Sequence, residues 1–489
     1  MSTTTTTPES SGDAGSPTTG GDTRLKGSLG TFGLFFSIMS FNAPLVVVMG
    51  VIPIMIATGN GVGTPFIFVV GAAIVACFAT ALLRMSGALH RPGAFYAFVT
   101  AGLGRKMGLG AGLTMLLAYF TCATGYLPFA GNSISNLVSG PLNGPNLPWY
   151  VWALGIWALV AVLGYLRIDV SAKVMAVILI LEISVVVVYD VVVFARGGSD
   201  GLSATPLSPA SWFDGSFANG LLLACAMFGG YEMTVLFREE VKRPERTIPR
   251  ATYGLIAFAV VLYAGTTWIF INALGVDDAV AVTTADGTAA FDATILQFGG
   301  QVFLDIATVL LVTSSLAVII CAHNVAARYL FNLGADGVVS RKLAVPHPRF
   351  GSPYRASMAV SAAVLIANLI VVVAGIDSMA FYGALLGIAA LTGISVQLIA
   401  SIAIPVYLAR HDKWRGHVFA SFIAPLIAIG GFGFSVVMSI VDFSAHTHGV
   451  TWLSNVLIAI VYGVFIGGFL LALRLQRTKP DVYQSIGRQ

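Results

Sequence analysis

Twelve apolar segments, each 17 to 30 residues long, run through this chain, and their length decides what it can become. A helix needs about 20 consecutive apolar residues to cross the hydrocarbon of a bilayer. The segments are Thr31–Ala57, Pro65–Met85, Leu109–Leu137, Trp149–Tyr165, Ser171–Phe194, Phe217–Leu236, Ala251–Leu274, Val302–Phe331, Ala356–Ala374, Met379–Leu408, Val418–Val441 and Val450–Leu473. Charged residues make up only 10% of the 489, against about 25% in an ordinary soluble domain. Such a chain cannot cover a water-facing surface. A soluble enzyme, a secreted disulfide scaffold and a nucleic-acid binder are thereby excluded. Cys77, Cys122, Cys225 and Cys321 all lie inside apolar segments and read as small buried residues.

Lys and Arg set the expected orientation. With twelve spans and the amino terminus inside, 25 of the 26 basic residues fall on the inner side, leaving Arg196 outside. The outer loops carry Asp200, Asp214, Asp277, Asp278, Asp286, Asp292, Asp377 and Asp442 instead. This is the positive-inside distribution of a multi-pass protein of the cytoplasmic membrane with both termini cytoplasmic. The Ser/Thr/Gly-rich start lacks the apolar region of a signal peptide and reads as a disordered cytoplasmic tail.

Two segments contain helix-breaking sequence at matching places. The first holds Ser40-Phe41-Asn42-Ala43-Pro44, where Pro44 removes a donor and biases Ala43 away from helix. The sixth holds Phe228-Gly229-Gly230-Tyr231-Glu232, where paired glycines favour an unwound turn. The third and eighth segments, both unusually long, are also five apart. An odd offset turns the second copy upside down in the membrane, as in inverted-repeat transporters with broken helices. A six-plus-six arrangement fits less well, because the longest inner connection lies between segments eight and nine (332–355). The expected fold is an all-α membrane protein of twelve transmembrane helices with a 5+5 inverted repeat. Its expected parts are a tail over 1–23, a ten-helix core over 24–410, helices eleven and twelve within 411–475 and a second tail over 476–489.

The stretch Phe228 to Glu232, followed by Arg238-Glu239-Glu240-Val-Lys242-Arg-Pro244-Glu-Arg246-Thr-Ile-Pro249-Arg250-Ala, resembles a signature of the amino acid–polyamine–organocation superfamily. Gly93-Ala94-Phe95-Tyr96 is similar to the family's Gly-Gly-x-Tyr element. Asn324, Arg328, Gly334-Ala-Asp336-Gly337 and Gly351-Ser-Pro353 resemble its eighth helix and the loop after it. The resemblance covers residues 30 to about 410 and is to permeases of the bacterial amino acid type. It implies the LeuT-type fold, alternating access, and a small amine-bearing solute held at the breaks by Ser40, Phe41, Asn42, Ala43, Phe228, Gly229, Gly230 and Tyr231. The physics of a break agrees with it. Free N–H groups after Pro44 suit a carboxylate, and carbonyls released near Ser40 and Phe228–Gly230 suit an ammonium. Relatives with a Gly-Ser-Gly-like first break leave bare backbone there. Here side chains intrude, so selectivity for α-amino acids does not transfer.

Ionisable residues at membrane depth mark function by default. Asp190 and Asp305 lie near outer ends of their segments. Glu182 lies 11 residues past Ser171, roughly 16 Å at about 1.5 Å per residue, near the middle. Several relatives carry Lys at this position of the fifth helix, where its ammonium stands in for a sodium ion. Taking a carboxylate out of water favours its protonated form. Glu182 or Glu232, which borders the second break, is therefore expected to bind and release the proton that drives import. The alternatives are Na⁺ held near Thr313-Ser-Ser315 or Cys321–Asn324, and exchange-type carriage of a polyamine or small amine. An enzyme is disfavoured. The histidines are scattered, His446-Thr-His448 reads as a solvated loop, and no nucleophile elbow, P-loop or cofactor fingerprint occurs. A channel lined by the broken helices is a further alternative.

Overall fold

A computed structural model of the chain describes residues 30–89, 95–166, 172–231, 241–413, 415–447 and 449–487. The described residues form helices and their connections. In chain order the principal ones are α1 (Thr31–Asn42), α2 (the helical run 44–60), α3 (Thr64–Ala88), α4 (Phe95–Leu103), α5 (Arg105–Ser139), α6 (Trp149–Leu166), α7 (Ala172–Arg196) and α8 (Phe217–Met227). There follow α9 (Pro244–Leu274), α10 (Ala279–Asp286), α11 (Ala289–Gly299), α12 (Gln301–Ala335), α13 (Tyr354–Val373), α14 (Ser378–Arg410), α15 (Ala424–Val441), α16 (Thr451–Thr478) and α17 (Pro480–Ser485). Among the described residues ten helical stretches are long and apolar enough to cross a membrane.

Burial sorts these helices into a core and a wall. In α2, residues 44 to 53 are buried without a break, and in α8 residues 218 to 225 are as well. Helices apolar on every side belong in the interior of a bundle. The wall is different. Leu154, Leu159 and Val162 on α6, Ile180, Leu181 and Val191 on α7, and Ile460, Ile466 and Leu470 on α16 are exposed. Leaving each such side chain in water costs roughly 1.5–3 kcal/mol, so a continuous apolar wall calls for a lipid surround. The chain is a multi-pass membrane protein.

Local sequence explains the boundaries. Asp377 caps α14 by accepting from the N–H groups of Met379 (3.0 Å) and Ala380 (2.8 Å). Gly104, at φ 91°, takes a backbone turn that a side chain would oppose and so divides α4 from α5. The two helices anticipated as unusually long, α5 and α12, are 35 residues each and pack along one another. Not anticipated were the short helices α4, α10, α11 and α17, whose few turns leave too little periodicity to stand out in sequence.

At the end of the bundle where α12 stops, the C-terminal segment folds back. Tyr96 Oη donates to Asp336 Oδ2 (2.6 Å), the Gly487 N–H donates to Tyr96 Oη (2.5 Å), and Ser485 Oγ donates to the Asp336 carbonyl (2.9 Å). Ile486 is buried there with Leu109, Leu333 and Leu475. Burial raises the Asp336 carboxyl above its ordinary range, opposed by the Tyr96 hydrogen bond. Tyr96→Phe keeps the ring but removes the hydroxyl that donates to Asp336 and accepts from the Gly487 N–H. It is expected to lower stability by about 1–3 kcal/mol, read as a lower thermal midpoint of the purified protein, whereas an unchanged midpoint would mean that the strap is not held there.

Candidate functional site

The first break is a single residue. α1 ends at Asn42, Ala43 adopts a left-handed conformation (φ 44°, ψ 71°), and the helix restarts at Pro44. Such a conformation is strained for alanine. The proline ring excludes helical geometry at Ala43, and Ala43, only 1% exposed, is held in place by packing. In the restarted helix the Ala43 carbonyl accepts from Val46 (3.0 Å) and Val47 (3.2 Å). The Leu45 N–H is one of the donors that a helix start leaves without a partner inside the helix. The Glu182 carboxylate of α7 lies near this helix start. Glu182 is 4% exposed, and its Oε2 accepts from Ser314 Oγ of α12 at 2.9 Å.

The second break follows Met227. Gly229 N–H turns back to the Ala226 carbonyl (3.0 Å) and Gly230 stands at φ 91°, a position that requires glycine. This turn frees the carbonyls of Met227 and Gly229. Asn42 reaches across from the first break, and its amide nitrogen donates to both at 2.9 Å each, the orientation that pairs donor with acceptor. The two breaks are thus joined by one side chain. Beside them lies a cavity of about 130 Å³, lined by Met227, Gly229 and Gly230, by Tyr119, Cys122 and Tyr126 of α5, and by Tyr382 and Gln397 of α14.

The residues expected at the site are distributed as follows. Asn42, Ala43, Gly229 and Gly230 come together at the breaks. Tyr231 is buried and donates to Gln397 Oε1 at 2.6 Å. Phe228 turns into the core, its ring 6.4 Å from those of Phe68 and Tyr263, and is not part of the cavity wall. Ser40 and Phe41 fall in the last turn of α1, but their side chains lie outside the described part, as does Glu232 altogether. Asp190 Oδ2 accepts from Thr266 Oγ1 at 2.7 Å, away from the breaks. Tyr126, Tyr382 and Gln397 were not anticipated. A glutamine inside the apolar run 379–408 was the available signal, since a polar group at membrane depth needs a partner.

A second group of cavities lies at the opposite end of the bundle from Asp336. One, of about 330 Å³, is lined by Asp286, Asp292 and Asp305 with Asn132 and Gln301. Burial pushes the Asp292 carboxyl up to about 6. Asp305 is half-buried and accepts from Gln301 at 2.7 Å. A neighbouring cavity of about 700 Å³ adds Asp214, Asp377 and His446. His446 departs from the expectation of a solvated loop. It is 3% exposed, its ring 5.3 Å from that of Phe443 and packed on Gly387. His448 lies outside the described residues.

A profile of the family described as "Amino acid permease" matches residues 29–466. The chain belongs to that family. This permease is 22% identical over 430 residues to the methylthioribose transporter of Bacillus subtilis, covering 82% of this chain and 84% of that one. It is 20% identical over 298 residues to the branched-chain amino acid permease BcaP of Lactococcus lactis, covering 58% and 63%. With the chloroplastic cationic amino acid transporter 7 of Arabidopsis thaliana it shares 27% over 292 residues, covering 55% and 48%. The matched range contains both breaks, Glu182 and the 130 Å³ cavity. The superfamily named from sequence motifs is the one to which the permease belongs.

Proposed function

We propose that this permease is a secondary active carrier that imports a small amino acid or related amine across the cytoplasmic membrane by alternating access, driven by a proton. The observation that carries the reading is Glu182. It is a buried carboxylate of α7 that accepts from Ser314 of α12 and lies near the start of α2. A proton-binding group in that position feels any relative movement of those helices, which is what coupling requires. The arrangement of twelve spans in a LeuT-type inverted repeat belongs to this proposal. The break around Gly59 divides the run 44–87 into two spans, and α8 belongs to the twelfth. Basic residues then face the cytoplasm with both termini, and the Asp-lined cavities face outward.

Those outer carboxylates favour one second reading, a cationic small amine or polyamine as solute, with exchange or Na⁺ in place of the proton. One experiment separates the readings. In proteoliposomes, an inward-directed proton gradient is expected to drive saturable accumulation of at least one labelled amino acid, in the absence of sodium. The screen includes polyamines and methylthioribose, the solute in one relative's name. Accumulation only with sodium removes the proton, accumulation only of a polyamine or methylthioribose changes the solute, and unitary currents without saturation replace the carrier by a channel.

A further inference from the structure

On the lipid-facing wall α5, α12, α13 and α16 enclose a groove of about 350 Å³ lined only by Leu, Phe, Val and Ala. It opens to the surroundings at Ala363, which is exposed. Its floor is one stripe of α5. Leu113, Leu116, Leu117 and Phe120 recur at i, i+3, i+4 and i+7 and so share a face. Met115, Ala118, Tyr119 and Cys122 repeat that pattern two residues on, about 200° around the helix, and line the 130 Å³ cavity beside the breaks. One face of α5 therefore meets the groove and the opposite face meets the cavity. Across from the stripe, Ala359 and Ala363 of α13 are too small to fill the space between the helices.

The groove belongs to one leaflet. Leu113 lies eight residues past the start of α5, Ala359 five past the start of α13 and Leu330 five before the end of α12. These are roughly 12, 8 and 8 Å at about 1.5 Å per residue, within the half-thickness of a bilayer's hydrocarbon, about 15 Å. The three helix ends meet at the Asp336 end of the bundle, where Leu109 packs with Leu333 and Arg355 donates to the Lys342 carbonyl at 3.4 Å. Two bases stand where a tail leaving the groove would carry its headgroup. Lys106 is seven residues before Leu113 and Arg355 four before Ala359, so each continues a lining stripe toward the membrane surface. Neither is paired with a carboxylate among the described residues.

We propose that this groove holds one acyl chain of an anionic phospholipid from the leaflet at the Asp336 end, with the headgroup phosphate against Lys106 and Arg355. Apolarity alone gives a tail no preference for the site, since the rest of the lipid is as apolar as leucine. The trough adds two things. Its lining lacks contacts on one side, which a tail restores, and two bases without a counter-charge favour an anionic headgroup. A second copy of this chain inserted in the same orientation fits less well, because it brings its own Lys106 and Arg355 to the same level, like charge against like. A tail seated there bears on α5 from behind the cavity.

The test titrates the purified, delipidated permease in detergent with phosphatidylglycerol and with phosphatidylcholine of the same chains, counting retained lipids by native mass spectrometry. One phosphatidylglycerol is expected to be retained, about thirtyfold more tightly than phosphatidylcholine, at about 1 kcal/mol for each base. Lys106→Gln and Arg355→Gln are each expected to weaken phosphatidylglycerol about fivefold and to leave phosphatidylcholine unchanged. Ala363→Trp and Ala359→Leu fill the groove and are expected to abolish retention without lowering the thermal midpoint. Should a filled groove not fold, the two charge variants, which leave the groove as it is, decide the question. Equal affinity for the two lipids, or charge variants that bind phosphatidylglycerol like the wild type, would overturn the proposal. So would phosphatidylglycerol retained by both filled variants, which places the lipid elsewhere. A wild-type dimer that both filled variants turn into a monomer would give the groove to a second copy instead.

Discussion

Glutamine in place of Glu182 is expected to cut accumulation driven by a proton gradient by about a hundredfold, the range of a coupling free energy near 3 kcal/mol, while counterflow exchange of the same solute continues. The substitution is nearly isosteric. Its amide oxygen can still accept from Ser314, the donor that holds the native carboxylate. What it cannot do is bind and release a proton. Packing and the breaks therefore persist, and only the link between proton and solute is cut. Exchange needs the site to alternate with solute bound and does not need net proton movement. The measurement is labelled uptake into proteoliposomes under an imposed pH gradient, paired with counterflow in the same vesicles. Full gradient-driven accumulation in the variant would remove Glu182 from coupling. Loss of both activities would point to a folding or gating defect, which Glu182→Asp distinguishes by restoring a titratable group.

The breaks were legible because the chemistry that causes them is local. Pro44 has no N–H and constrains the residue before it, and Gly229 with Gly230 permits a turn that other residues resist. The depth of Glu182 was equally legible, since residues along a helix count off distance. What fills the freed backbone groups was not. Asn42 and Met227, or Glu182 and Leu45, lie more than a hundred residues apart in the sequence, and only the packing of α7 and α8 against α1 and α2 brings them together. The sequence suggested vacant donors and acceptors awaiting a solute. In the structure the protein's own Asn42 amide occupies the carbonyls of Met227 and Gly229. Phe228, expected at the second break, has its ring packed in the core near Phe68 and Tyr263. Periodicity does not record which way a residue in a turn will face.

His446 is expected to make the permease acid-labile over a defined range. Its ring is buried in the turn between α15 and α16, and neither nitrogen has a hydrogen-bond partner among the described residues. Burial without a partner penalises the charged imidazolium and lowers its pKa from 6.5 to about 4. The unfolded chain, with the ordinary value, binds the proton first. Between pH 6.5 and 4 the unfolded state therefore carries more protons than the folded one, and stability falls as pH falls. Above 6.5 the contribution is fully present, and below about 4 the loss levels off. A shift of this size corresponds to on the order of 3 kcal/mol. His446→Phe keeps a flat ring on Gly387, sacrifices no hydrogen bond and cannot titrate. The difference in unfolding free energy between wild type and variant is expected to move against the wild type by that amount between pH 7.5 and 4, and a difference that stays constant would show the ring to be solvated. The position gives the effect a functional edge. His446 borders the same 700 Å³ cavity as Asp214 and Asp377, on the face assigned to the outside, which an inward proton gradient makes the acidic one. Under the proposed proton-driven import, acidifying that face would raise the driving force and at the same time enter the window in which His446 costs the permease stability.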